Sequence, residues 1–420
     1  MHKRRQVGFV IYRAATDLVA KAALFVVTIA AARTLSQDDF GLFSLATTAG
    51  WMVALAGDFG IQMHLARAVA QHPENAALLL RRWLPIRALT AVLGVTGMAI
   101  GAAVTVDSWT ATIVLVLFTL LYVVNGLVEF LYYFYRGLGR TDLESALVLA
   151  QRLTVLALAL TALRWRPSLI LLALAMLAPA VGGLLLAGRI ASRLTPPDRH
   201  SPPQPRFFIP GDTLGRVLPI GAGIVLSALY FRIDVFLLEA WQGLEAVGHY
   251  NAVFRMVEAL RLLPAAALAV AMPTLFTAVT RRPLVQLATA LTGGAMVVTL
   301  VLWFNGGWAV TLLFGDRYAP AIPAFRVLTL SFPLMSLNYA LTHQLIGWHG
   351  HRFYALLCAA ALVVNIGANA VLIPLLGLAG AAWTTLITEA VVTAGCVLGL
   401  RLSTPDATLR TSVAAMAVTS

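Results

Sequence analysis

The residues that could do chemistry here are charges set inside apolar runs. They are Arg13, Asp17 and Lys21; Asp58; Arg87; Glu129; Arg152; Arg232 and Asp234; Arg255, Glu258 and Arg261; Arg326; and Glu389. A charge at the centre of a bilayer costs about 2.5–3.5 kcal/mol on insertion scales, so such groups face a protein-lined cavity or a partner rather than lipid. Two kinds of chemistry fit them. A guanidinium presents a planar fork of donors to phosphate oxygens. A buried carboxylate exchanges a proton or a small cation as its surroundings change.

Spacing sorts these charges by face. Arg13, Asp17 and Lys21 recur every four residues and form one stripe of a helix. Arg232 and Asp234, two apart, are about 200° apart on a helix and point to nearly opposite sides. Across a short outer loop around Gln242–Ala246, Asp234 is expected to pair with Arg255. That leaves Arg232 to face a cavity. Arg255, Glu258 and Arg261 follow at intervals of three and sweep a broad face.

The elements that must position these groups are membrane helices. The chain has 420 residues, is 60% hydrophobic and 11% charged, where soluble domains carry about 25% charged residues. The net charge of +12 does not point to nucleic acid, because the arginines sit between apolar runs. Twelve runs have the roughly 20-residue length of a span: 8–32, 40–63, 83–105, 110–135, 144–163, 168–189, 215–239, 247–275, 284–304, 320–346, 353–374 and 378–400. With both termini cytoplasmic, only Arg33, Arg164, Arg166 and Arg317 fall in outside loops, as the positive-inside rule requires. The expected class is an all-α polytopic membrane protein. Tryptophans near span ends, and the run Tyr132–Tyr135, suit interfacial belts.

One long polar connection, residues 194–212, is rich in proline and cannot form a regular helix. It divides the chain into an N-terminal six-helix bundle, 1–193, and a C-terminal one, 213–401, followed by a tail, 402–420, or the start of another helix. The halves carry a weak repeat. FGLFSLA at Phe40–Ala46 matches VGHYNAV at Val247–Val253, and GLGRTD at Gly137–Asp142 matches WHGHRF at Trp348–Phe353. Six spans per half give both halves one orientation, with a substrate path between them. Pro219, Gly221 and Gly223, and Pro264 with Pro273, mark weak points where the seventh and eighth spans are expected to bend.

Several functions lack their residues. There is no GxxxxGK[ST] loop for ATP. No HExxH or paired cysteines offer a metal site, and His349 with His351 lack a third ligand. Cys358 and Cys396 lie in apolar runs and read as packing residues. No cofactor, metal or catalytic activity is expected. The basic motif of major-facilitator transporters is missing between spans two and three.

Four stretches resemble the Wzx-type polysaccharide-export flippases of the multidrug/oligosaccharidyl-lipid/polysaccharide superfamily. They are FGLFSLATTAGWMVALAGDFGIQMHLARAVAQ, YFRIDVFLLEAWQGLEAVGHYNAVFRMVEALRLLPAAALAVAMPTLF, LFGDRYAPAIPAFRVLTLSFPLMSLNYAL and PLLGLAGAAWTTLITEAVV. The resemblance implies two six-helix bundles forming a V around a central cavity. It implies transport of an undecaprenyl-diphosphate-linked oligosaccharide from the inner to the outer leaflet of a bacterial inner membrane. Coupling to protons or sodium, and partnership with a polymerase and glycosyltransferases, follow from the same resemblance. By similarity, Lys21, Arg232, Arg255 and Arg261 would bind the head group, and Asp17, Asp58 and Glu258 would couple to an ion. Several relatives have fourteen spans, and this chain shows twelve. An ion-coupled small-molecule or drug antiporter of the same superfamily is the alternative; its cavity should be net acidic when the drug is cationic.

Overall fold

The computed structural model describes residues 2–195, 211–277, 282–348 and 350–402, with side chains of 2–15, 17, 211–220, 269–270, 272–277 and 351 excepted. The Pro-rich segment, His349 and the tail beyond Leu402 lie outside the described residues. Thirteen α-helices form among those described: α1 His2–Thr34, α2 Gln37–Asp58, α3 Ile61–Gln71, α4 Ala76–Thr105, α5 Trp109–Gly137, α6 Thr141–Trp165, α7 Leu169–Leu194, α8 Gly211–Leu260, α9 Leu262–Thr277, α10 Arg282–Phe314, α11 Ile322–Gly347, α12 His351–Leu376 and α13 Leu378–Leu402. No strand occurs among the described residues. Lipid offers backbone groups no hydrogen bonds, so a helix, which satisfies its own, is the structure these runs adopt.

Every expected span is helical, but 40–63 is divided between α2 and α3 at Phe59–Gly60, and the breaks have physical causes. α8 is a helical hairpin in one run, bent at Gly243 with φ 80° and ψ −180°, a conformation that only glycine adopts without strain. The α8–α9 break falls at Arg261, whose N–H bonds Glu258 O at 3.1 Å. Pro264 has no N–H to give the carbonyl of Leu260, so the ladder fails there. The expected weak point at Pro219–Gly223 is not a break: α8 runs through it helically.

The chain divides into two compact units, Met1–Val225 and Leu226–Ser420. In the first, α5 is the central rod and packs on α2, α4 and α7. Gly50 lets α2 approach α5 closely, since a Cβ there would stand 2.8 Å from the carbonyl oxygen of Phe118. The core holds Leu65, Val69, Trp83, Phe130, Phe134 and Tyr135. In the second unit α11 is central, packed on α10 and α13, around Leu341, Leu345, Trp348, Cys396 and Leu400. The same pairings recur in each unit: α4 on α5 and α10 on α11, α5 on α7 and α11 on α13, α6 on α7 and α12 on α13. Exposed Leu, Ile and Val cluster on α4, α10 and α12. These are faces for lipid, where apolar exposure carries no penalty.

Two aromatic expectations are corrected. Trp109, Trp165, Trp241 and Trp308 are exposed at helix ends or bends, as a belt requires, but Trp83 and Trp348 are buried core residues. Tyr132, Phe134 and Tyr135 are buried as well, and the Tyr135 hydroxyl donates to Ala187 O at 2.5 Å. They lock α5 to α7 instead of anchoring at an interface.

Candidate functional site

In the first unit the polar groups gather where α2 breaks. α2 ends at Asp58, the chain turns through left-handed Phe59 (φ 47°) and Gly60 (φ 83°), and α3 starts at Ile61. Asp58 closes this break. Gly60 N donates to its Oδ2 at 3.1 Å and Gln62 N to its Oδ1 at 3.3 Å. The carboxylate thus satisfies two of the donors that a new helix start leaves open. On its other side, Arg87 Nε from α4 lies 3.4 Å from Oδ1, with both side chains buried. The Arg87 fork also donates to Thr90 Oγ1 at 2.9 Å. Glycines make the room: a Cβ at Gly126 would stand 3.3 Å from Nη2, and one at Gly57 3.4 Å from Nη1.

Beside this pair lies a cavity of ≈ 140 Å³. Trp51 and Leu55 of α2, Tyr122, Asn125 and Glu129 of α5, and Arg152 of α6 line it with Asp58 and Arg87. The intervals of three and four place each set on one helix face. Asn125 accepts from Gln151 Nε2 at 2.9 Å and donates to Leu121 O at 2.9 Å. At the α5–α6 turn Arg136 grips Glu144 with Nε and Nη2, the former at 2.7 Å, and lies 4.2 Å over the Tyr133 ring. A bidentate, charge-assisted fork of this kind fixes the turn.

In the second unit the arms of α8 are stapled by two pairs. Arg232 Nη2 donates to Asn251 Oδ1 at 2.8 Å, with the guanidinium 4.7 Å over Phe254. The Tyr250 hydroxyl donates to Asp234 Oδ2 at 2.6 Å and lies 3.2 Å from Thr385 Oγ1 of α13. Arg232 and Asp234 are both buried. Farther from the bend, Arg255 Nη1 bonds Glu258 at 2.7 Å, and these two side chains are 28% and 35% exposed. Arg261, at the α8–α9 break, sits 4.2 Å from the Phe231 ring centroid and 5.3 Å from that of Tyr339. Its buried Nε has no hydrogen-bond partner among the described residues. On α11 and α13, Asn338 Nδ2 donates to Glu389 Oε2 at 2.7 Å and Thr393 Oγ1 to Asn338 Oδ1 at 2.8 Å.

The expected residues fare differently. The Asp234–Arg255 pair gives way to Asp234–Tyr250 and Arg255–Glu258, because Tyr250 lies nearer the bend than Arg255 and meets Asp234 at its own depth. Arg232, expected to face a cavity, is buried against Asn251 and Phe254. Arg255, Glu258 and Arg261 remain partly accessible, and Asp58 lines the cavity of the first unit. Lys21 is exposed on α1, and the side chain of Asp17 lies outside the described residues. Sequence reasoning missed the partners Tyr250, Asn338 and Thr393, and the cavity face Trp51–Tyr122–Asn125. The intervals Trp51–Leu55–Asp58 and Tyr122–Asn125–Glu129 were the available signal. Among the described residues no group of three His, Cys, Asp or Glu could hold a metal.

This architecture is a known one. A structure of the lipid II flippase MurJ in an inward closed conformation superposes with TM-score 0.72 over 93% of this chain and 87% of its own, at 11% identity. MATE in a bent conformation gives TM-score 0.63 over 96% of each chain at 16% identity. An inward-facing multidrug resistance MATE family transporter of the MOP superfamily gives 0.61 over 93% of each, at 14%. No curated protein matches the sequence. The fold is therefore the one seen in MurJ and in the MATE transporters. The family profile described as "Polysaccharide biosynthesis protein" matches residues 10–279, and the chain belongs to that family.

Proposed function

We propose that the protein is a flippase for lipid-linked oligosaccharides. It would carry an undecaprenyl-diphosphate-linked glycan from the inner to the outer leaflet of a bacterial cytoplasmic membrane, by alternating access, for surface polysaccharide. In this reading both termini are cytoplasmic, the segment 194–212 joins two six-helix bundles, and the chain works beside a polymerase and glycosyltransferases. Family membership supports the glycan. The observation that carries the head-group chemistry is Arg261. Its guanidinium is held between two aromatic faces and keeps a buried Nε without a partner among the described residues. A pre-oriented planar donor in low dielectric suits a diphosphate oxygen. Arg255 and Lys21 add accessible cations, and Asp58 and Glu258, with Asp17, are the carboxylates available for coupling to protons or sodium.

The shared fold with MATE transporters keeps the small-molecule or drug antiporter as the second reading. A test in proteoliposomes separates them. A fluorescent undecaprenyl-diphosphate-linked sugar should become accessible to a membrane-impermeant quencher, with Arg261→Ala abolishing the movement. Retention of the lipid on its starting leaflet, together with proton-driven efflux of a cationic dye, would replace the flippase with the antiporter.

A further inference from the structure

We infer that the cavity of the first unit is a subsite for a single neutral pyranose of the glycan. The inference rests on the flippase reading for the source of the sugar, but its evidence is the cavity itself. At ≈ 140 Å³ it is close to the roughly 150 Å³ engineered cavity that holds one benzene; a hexose has twice the heavy atoms, so the cavity takes one edge of the sugar ring and leaves the remaining hydroxyls outside it. Its walls pair two aromatic side chains, Trp51 from α2 and Tyr122 from α5, with amide and ionic groups. The negative π face of an aromatic attracts the weakly positive C–H face of a pyranose. Hydroxyls on the ring edge both donate and accept, and the cavity offers both kinds of partner.

The charge balance selects the ligand. Among the described lining residues two carboxylates, Asp58 and Glu129, face two guanidiniums, Arg87 and Arg152. Asp58 and Arg87 already engage each other, and Asp58 also caps α3. Glu129 and Arg152 attract each other across the cavity but close no hydrogen bond among the described residues, which leaves one acceptor on α5 and one donor on α6 for a ligand between them. Asn125 is held by Gln151 and by Leu121 O, so its remaining N–H is fixed in direction. A diphosphate or uronate would meet no net positive field here, and an organic cation no net negative one. A polyhydroxylated neutral ring uses every group.

The test is saturation-transfer NMR on the full chain in lipid nanodiscs, with pyrophosphate followed instead by its phosphorus line width. The probes are methyl α-glucopyranoside, methyl α-galactopyranoside, methyl α-mannopyranoside and N-acetylglucosamine, against glucuronate, pyrophosphate and ethidium. At least one neutral pyranoside should bind and should compete with the others. Trp51→Ala and Glu129→Gln should each weaken it by about tenfold, and Trp51→Phe by less. Pyrophosphate binding should stay unchanged in all three variants. Glu129→Gln breaks no hydrogen bond made within the described residues and keeps the side chain's shape, and a melting temperature equal to the parent's separates loss of the subsite from loss of the Glu129 attraction to Arg152 and Arg87. Equal binding of glucuronate and neutral sugars, or neutral binding unaffected by both substitutions, overturns the subsite. Neutral sugars that bind at Trp51 in a protein that moves no lipid-linked sugar would remove the flippase reading and leave the subsite standing. Lipid-linked sugar movement that persists with no sugar binding would do the reverse.

Discussion

Replacing Asp58 with Asn keeps a side chain that can accept from the start of α3 but removes the charge opposite Arg87. Arg87 and Asp58 are 2% and 7% exposed and 3.4 Å apart, so the variant takes from a buried guanidinium its nearest counter-charge and leaves it only Glu129 among the described residues. Breaking a buried pair from one side costs about 3–5 kcal/mol. A unit of this size shifts by about 2–4 °C per kcal/mol, so the melting temperature in detergent should fall by roughly 6–20 °C. Asp58→Ala also loses the bonds from Gly60 N and Gln62 N and should cost about 1 kcal/mol more. Adding Arg87→Gln to Asp58→Asn removes both charges, and most of the loss should be recovered, since neutral replacement of a buried pair is often tolerated. The assay is a thiol-independent thermal melt followed by size exclusion of a fluorescent fusion. A double variant as unstable as the sum of the singles would refute the pairing, and an Asp58→Asn variant that melts with the parent would refute the whole account.

Four further outcomes follow from the second unit. Tyr250→Phe strips the 2.6 Å bond from buried Asp234 and should lower stability by about 1.5–3 kcal/mol, read as a melting shift; exchanging the charges of Asp234 and Arg255 should give no mutual rescue in the same measurement. Gly243→Ala forces a Cβ onto φ 80°, ψ −180° and should cost about 1–3 kcal/mol, visible as loss of monodisperse protein. Arg261→Lys keeps a charge but gives up the plane held between Phe231 and Tyr339, so liposome flipping should fall by about tenfold or more while folding is retained.

The helices were legible because apolar length and interrupting charge are written along the chain. Twelve runs of about span length predicted the rods, and Pro264 predicted the α8–α9 break. The partners were harder to read. Helical periodicity gives the direction in which Asp234 points, but the depth at which Tyr250 meets it depends on how tightly Gly243 turns. The fate of Arg232 turned on the same register: a face opposite Asp234 could front a cavity or a neighbour, and Asn251 with Phe254 made it a neighbour. The expected span 40–63 ran unbroken through Gly60, and Phe59 in a left-handed conformation carries no sequence signal of the break. Four aromatics in a row at Tyr132–Tyr135 look alike whether they anchor at an interface or fill a core. Only packing on α7 decides it.

The α8 hairpin also constrains how the chain enters its membrane. Its first arm carries Arg232 and Asp234, each worth about +2.5–3.5 kcal/mol against insertion, while a Leu, Ile, Phe or Val returns only about 0.3–0.6. The groups that satisfy those charges, Asn251 and Tyr250, belong to the second arm and leave the ribosome later. The first arm is therefore a poor passenger alone, and the translocon must hold it until the second arrives. The tight bend at Gly243 puts the two arms side by side, and the bonds between them make the pair one unit of insertion, released to lipid together.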